Sequence, residues 1–291
     1  MKYAFIDSQR GHHAVQAPCR VLGVARSGYY AWRGRGAQAT RREEQRKALD
    51  TAVGQRFWSR MRRYGAPRIT QDLRDEGWVV DRKTVAASLR RQGLRAKAAR
   101  RNKATTQSNH TLPVSPNRLG QDFGATAPNR KWVGDITYLH TTEGWLYLAV
   151  VIDLFSRRVV GWAMAERMTA ELVCDALQMA LWKRKHPQGV IVHSDRGSQY
   201  CSAAYQGLIR RHNLVSSMSA KGNCNDNACA ESFFHSRKVE AIHGEPAVDR
   251  AQMRERVFEY IAVDCNRQRW HSTIGGISPE AFEMANRVDV A

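Results

Sequence analysis

Acidic residues are scarce in the first part of this 291-residue chain. Residues 1 to 120 carry eight Asp and Glu against twenty-six Lys and Arg, whereas residues 121 to 291 carry nineteen against twenty. Nearly all of the +19 net charge therefore belongs to one half. Nine basic residues and no acid lie between Arg82 and Lys103. That concentration favours a surface that grips a polyanion, nucleic acid above all, over one that only confers solubility. Long apolar runs are missing too. The longest, Trp145 to Ile152, is far too short to span a bilayer, and MKYAFIDSQR does not lead into an apolar signal segment. No membrane role is expected. Cysteines are few, and Cys19, Cys174, Cys201, Cys224, Cys229 and Cys265 include no C-x-x-C pair. This excludes a disulfide scaffold and, with only His12 and His13 to begin one, a structural zinc site. The expected setting is a reducing cytoplasm.

What is present divides the chain in order. CRVLGVARSGYYAW reads as a small helical unit, and residues 41 to 61 are charged and helix-permissive. Ile69 and Leu73 mark a short helix stopped at Gly77; Asp81 caps a second, which buries Val85 and Leu89 and ends at Gly93. Its exposed side presents Arg82, Lys83, Arg90 and Arg91, the surface a recognition helix offers to DNA, in a helix-turn-helix over about residues 65 to 95. Residues 101 to 126, rich in polar residues, Pro and Gly, read as a linker. Extended apolar runs follow at about 131–140, 145–153 and 157–164. After them come a helix from Thr169 to about Lys185, a strand at Gly189 to His193, a helix from about Ser202 to His212 and a strand near Leu214 to Met218. This pattern predicts a mixed α/β layer fold. The expected domains are a helical DNA-binding region over 1–100, a core over 127–245 and a helical C-terminal extension over 246–291.

Three acids in the core carry the chemistry. Asp135 lies in KWVGDITYL, Asp195 in VIVHSDRGSQY and Glu231 in GNCNDNACAESFFHSRKVE, with fifty-nine residues between the first two and thirty-five between the last two. Asp135 stands amid Val133, Ile136 and Leu139, where an uncompensated charge is costly; pairing or a bound cation explains it. Asp195 follows an apolar strand at its C-terminal end, where open α/β sheets place ligands. DRGS is also good turn chemistry, and both readings stand on the residues alone. Glu231 opens a helix, as first-turn acids often do, yet His235 and Lys238 share its face four and seven residues on. Three converging carboxylates suit Mg²⁺, which takes hard oxygen ligands and substrate phosphates. Asp153, in DLFSRR, is read as fixing the next turn, outside any metal site.

The triad spacing, WVGDITYL, DLFSRRVVGW, HSDRGSQY, ESFFHSRKVE and YIAVDCNRQRWHSTIGGISPEAF together resemble the OrfB-type transposases of bacterial insertion sequences, relatives of retroviral integrases. YGAPRITQDLRDEGWVVDRKTVAASLRRQGLRAK resembles the helix-turn-helix that precedes their core. The resemblance implies an RNase H-like core in which Asp135, Asp195 and Glu231 hold two Mg²⁺ or Mn²⁺ ions. It implies metal-dependent cleavage at the element ends and transfer of the 3′-hydroxyl into DNA. It also implies that Lys238 contacts the DNA end, and that Asn266, Arg269 and His271, with His235, support the site or touch DNA. Expected partners are double-stranded DNA, as element ends and as target, and further copies of the chain to hold two ends together. The family's upstream reading frame, as a separate protein or a frameshift fusion, is the third. Gly134, Trp270 and Gly276 depart from the family pattern; at Gly134 a polar residue commonly precedes the first aspartate. Two other functions stay open from the residues: an inactive DNA-binding regulator, and a nuclease without joining activity.

Overall fold

Short helices with one apolar face build the N-terminal unit, Met1–Ala96. In this computed structural model residues 1–34, 41–97, 111–220, 224–237 and 246–286 are described, the side chains of 224, 225 and 235–237 excepted. Helices α1 (Lys2–Ser8), α2 (Gln16–Val21) and α3 (Arg26–Gly34) bury Ile6, Cys19 and Tyr29. Helices α4 (Arg41–Ser59), α5 (Ala66–Asp75) and α6 (Arg82–Arg91) close a second small core through Val53, Phe57, Ile69, Leu73 and Val85. The stop signals act as expected: Gly77 and Gly93 follow α5 and α6 at φ +88° and +65°, where a side chain would be strained. Asp81 caps α6 by accepting the Thr84 amide proton at 2.7 Å.

The second unit, Lys97–Ala291, is built on a sheet. The three extended runs form β1 (Lys131–Thr141), β2 (Gly144–Asp153) and β3 (Val159–Ala165), paired antiparallel in sequence. The third starts later than its composition suggests, because Arg157 takes a left-handed φ of +64° and the Asp153 amide turns back onto Arg158 O at 2.9 Å. Two short strands, β4 (Ile191–Ser194) and β5 (Val215–Met218), run parallel to β1 on its other side, giving the order β3-β2-β1-β4-β5.

Alternation along the strands sends side chains to two helical layers. Trp132, Ala149, Val151 and Val192 face α7 (Ala170–Lys183), α8 (Ser198–Cys201) and α9 (Ala203–Arg211). The four-residue α8 has too little apolar periodicity to be read from sequence. Gly161 lets α7 lie close on β3, since a Cβ there would stand 2.7 Å from Ala180 N. Val133, Leu139, Leu148 and Val150 face the other layer: α10 (Ala228–Arg237), α11 (Arg250–Glu259) and the π-helical continuation Tyr260–Gln268. The last helix, α12 (Pro279–Ala285), is tied to the sheet by buried charges: Glu283 accepts from Ser156 and Arg184, and Arg184 reaches Asp153 at 3.6 Å. Part of the predicted linker is not free chain. Leu119 is buried, and the Arg118 and Leu119 amides donate to Ser217 Oγ at 2.9 and 3.2 Å. Among the described residues no helix is long and apolar enough to cross a membrane.

Candidate active site

Parallel pairing of β1 with β4 brings the two aspartates into line. Val133 pairs with His193, so Asp135 and Asp195 each lie two residues further on, at the C-terminal end of the parallel pair. Strand alternation aims Asp135 to the same side as Val133, the face on which α10 packs through Ala230, Phe233 and Phe234. Both carboxylates are locally braced: Asp135 Oδ1 accepts the Ile136 amide proton at 2.8 Å, and Asp195 Oδ1 the Gly197 amide proton at 2.9 Å. Arg196 donates from Nε to Ser219 O at 2.6 Å, fixing the loop that carries Asp195.

Glu231 occupies the first turn of α10, with its surface exposed and its pKa raised by partial burial of the carboxyl. Among the described residues no three His, Cys, Asp or Glu side chains are gathered closely enough to hold a metal ion between them. Two acids therefore come together by register, and the third sits on a helix packed over their face. Like charges without a cation resist closer approach. The donor set still fits a divalent cation, because two carboxylates at one sheet edge give hard oxygens with room for phosphate and water.

Behind Asp195 lies a buried polar chain that sequence reading missed. Ser217 Oγ accepts the Arg118 and Leu119 amide protons, leaving its own proton for His193 Nδ1 at 2.8 Å. His193 Nε2–H then points to Ser219 Oγ at 3.2 Å, and Ser219 O–H to Ser194 O at 3.3 Å. The chain uses each proton once and suits a neutral imidazole. Burial accordingly pushes the His193 pKa down to about 4, against the charge of nearby Asp226. Because the unfolded histidine titrates near 6.5, the unfolded state binds the extra proton between about pH 6.5 and 4. Stability is expected to be full above pH 6.5 and to fall by up to about 3 kcal/mol as pH drops through that window. Urea melts at pH 7 and 5 compared with His193→Gln test this; an unchanged difference between the two pH values in the variant would count against it.

Asp226, also buried, accepts from Asn117 Nδ2 at 3.1 Å, Gln121 Nε2 at 2.9 Å and the Ala220 amide at 2.8 Å. It thereby anchors the segment entering α10 to the segment entering β1. Asp153 matches its reading as a turn residue: fully buried, it accepts the Asn129 and Phe155 amide protons at 2.9 and 3.0 Å. Burial nevertheless raises its pKa.

The remaining expected residues divide. Asn266 is buried and clamps Val159 at both backbone groups, each at 3.0 Å, which makes it a strut of the β3 edge. Arg269 Nη1 lies 3.2 Å from His271 Nε2, and His271 forms a backbone bridge with Ile277. Lys238 and the His235 side chain lie outside the described residues. On α6, Arg82, Lys83 and Arg90 are exposed. Arg91 reaches back to Asp50 on α4, Nη2 to Oδ1 at 2.6 Å and Nε to Oδ2 at 3.2 Å, so its guanidinium braces the helix.

Residues 125–224 and 231–286 match the integrase core domain family, and residues 44–102 the HTH-like domain. The chain is 59% identical over 286 residues to the transposase InsF for insertion sequence IS3A of Escherichia coli K12, covering 98% of this chain and 99% of that one. The chain belongs to the IS3-family transposases. The 31 kDa protein of insertion element IS600 from Shigella sonnei is 44% identical over 265 residues, 91% of this chain and 96% of that one. Among solved structures, the HTLV-2 integrase catalytic core in complex with magnesium has 15% identity and a TM-score of 0.40, covering 54% of this chain and 98% of that one. The sheet order and flanking helices are thus the RNase H-like core of a DNA transposase, with a helical HTH-like region ahead of it. Its reaction class is polynucleotidyl transfer, which moves an insertion sequence by DNA strand transfer.

Proposed function

We propose that Asp135, Asp195 and Glu231 are the catalytic acids of this transposase and the ligands of its divalent metal. The observation that supports this most is the in-register placement of Asp135 and Asp195 at the ends of neighbouring parallel strands, under the helix that carries Glu231. Two Mg²⁺ or Mn²⁺ ions held there would activate the attacking water or 3′-hydroxyl and stabilise the leaving oxygen. The protein's share is placement: β1 and β4 hold two carboxylates at fixed spacing, and α10 delivers the third. Lys238, seven residues after Glu231 in the sequence, is assigned to a phosphate of the DNA end, and His235 to support of the site. Arg269 and His271 form a polar pair that supports the core, as Asn266 does. The chemistry is cleavage at the 3′ ends of the element followed by attack of each freed hydroxyl on target DNA. Supercoiled DNA bearing element ends, incubated with the full chain and Mg²⁺, should give nicked and then joined products. Product that is equally abundant in EDTA would refute the assignment.

DNA is gripped by the helical region over residues 1–100. Arg82, Lys83 and Arg90 face phosphate and groove, with Arg91 holding the helix from behind through Asp50. Arg82→Ala with Lys83→Ala is expected to weaken binding about equally on cognate and unrelated duplexes. The slope of log K against log salt should lose about one per phosphate contact removed. Fluorescence anisotropy from about 50 to 200 mM salt reads both quantities, and a slope equal to that of the unsubstituted chain would exclude these two as phosphate contacts. Two element ends call for more than one copy of the chain on DNA. The product of an upstream reading frame, separate or fused by frameshifting, is the further partner assigned here. The cytoplasm is the proposed compartment.

A further inference from the structure

Polar contacts, and not apolar packing alone, pin the start of the helix that carries Glu231. The 3₁₀ turn Cys224–Asn227 runs straight into α10, so whatever holds residues 226 to 229 sets the first turn of that helix, where Glu231 sits. Asp226 is 1% exposed. Its Oδ1 accepts from Gln121 Nε2 at 2.9 Å, and its Oδ2 from Asn117 Nδ2 at 3.1 Å and the Ala220 amide at 2.8 Å. Asn227 Nδ2 reaches Gly134 O, one residue before Asp135, at 3.4 Å. Arg157 ties the same two segments together: Nη1 lies 2.8 Å from Cys229 Sγ, and Nη2 donates to Phe123 O at 3.1 Å. The strap ahead of β1 is preset to receive Asp226. Asn117 Oδ1 accepts the Leu119 and Gly120 amide protons at 3.1 and 2.9 Å, which orients the side-chain amide so that Nδ2 faces the carboxylate. Gly120 and Gln121 then take left-handed φ of +55° and +62°, a conformation a non-glycine residue keeps only where its surroundings hold it.

We infer that Asp226 is a positioning residue: bound to Asn117 and Gln121, it fixes the start of α10 and with it the place of the Glu231 carboxylate over the two aspartates. The inference rests on the metal-ligand reading of Glu231 given above. Burying a carboxylate is a costly way to join two loops, and its desolvation offsets much of what its hydrogen bonds contribute to stability. What the joint supplies is one defined arrangement. β1 and β4 hold Asp135 and Asp195 by register, whereas Glu231 comes from a helix outside the sheet and needs an anchor of its own. Asp226, five residues earlier, gives that helix a fixed origin on the strap that leads into β1.

The test uses the full chain, element-end DNA and the exposed partner of the clamp, Gln121. Gln121→Glu sets carboxylate against carboxylate. Gln121→Ala only removes the bond and, lying at the surface, should melt with the unsubstituted chain. Single-turnover cleavage at saturating DNA is followed across Mg²⁺ concentration, and melting temperature is measured without metal. Expected for Gln121→Glu are a Mg²⁺ midpoint raised roughly tenfold or more, a cleavage rate at saturating Mg²⁺ lowered roughly tenfold or more, and unchanged affinity for the ends. Gln121→Ala should move both quantities in the same direction by less. Adding Asp226→Asn to Gln121→Glu reverses the polarity of that one bond while an oxygen remains for Asn117 and Ala220, and should recover most of the rate. An unchanged Mg²⁺ midpoint in both Gln121 variants would overturn the inference, because a merely structural role lowers the active fraction and leaves the midpoint in place. Absence of recovery in the double variant would overturn it as well. Glu231→Gln separates the two levels: if it leaves cleavage and its Mg²⁺ midpoint intact, the metal-ligand reading itself falls. If it abolishes cleavage while both Gln121 variants behave as the unsubstituted chain, only the role of Asp226 falls.

Discussion

Asp135→Asn is expected to reduce end cleavage and joining by at least roughly 10²–10³-fold, the cost of removing one preorganised electrostatic group from a reacting centre. The same variant should fold as well as the parent. Asparagine keeps the shape and the Oδ1 that accepts the Ile136 amide proton, and it removes a charge from beside Asp195. Binding of element ends should be retained, because the DNA-gripping surface assigned to α6 belongs to the other unit. The discriminating comparison is therefore product yield against end affinity and melting temperature in one preparation. Retained product would remove Asp135 from the chemistry. Parallel loss of folding would reduce it to a structural role.

Arg184→Ala is expected to be the most destabilising change in the second unit, costing about 3–5 kcal/mol, as removal of one partner from a buried ion pair does. Arg184 is 14% exposed and serves two carboxylates at once, Asp153 at 3.6 Å and Glu283 through both guanidinium nitrogens. Its removal leaves those two acids buried and close to one another. Burial alone would raise the Glu283 pKa, but hydrogen bonds from Arg184 and Ser156 and the charge of Arg184 outweigh it and hold the carboxyl below its ordinary value. A glutamate depressed in the folded state stabilises above its unfolded pKa near 4.5 and loses that contribution as pH falls through the folded value. The deficit of Arg184→Ala should accordingly be largest near neutrality and shrink in acid. Urea unfolding followed from pH 7 to pH 4 measures it, and a deficit below about 1 kcal/mol, typical of exposed pairs, would show that the cluster is solvated.

Local patterns carried much of this structure into view. Asp81 followed by a helical face, and glycines at the helix ends, marked α5 and α6 because capping and left-handed turns are set by neighbouring residues. Apolar runs around Asp135 and just before Asp195 marked the strands, and parallel pairing did the rest. What stayed hidden depends on distant partners. Arg184 and Glu283 are ninety-nine residues apart, and Arg91 and Asp50 forty-one, so no periodicity announces either pair. The pairing of Arg91 with Asp50 was hidden because four basic residues on one helix look alike until a carboxylate arrives from another helix. Residues 115 to 123 looked like free linker because their polar side chains gave no sign of the buried Asp226 and Ser217 that receive them. His193 sat in view within HSDRGSQY, but only packing shows that the imidazole is held neutral.

The convergence of three carboxylates on divalent metal is tested most directly by crystallography of the full chain with Mn²⁺, using its anomalous signal. An Mn²⁺ peak about 2 Å from carboxylate oxygens of Asp135 and Asp195, with Glu231 drawn in as a third ligand, is expected. A peak held by other residues, or Glu231 out of contact with the ion when DNA ends are also bound, would contradict the account.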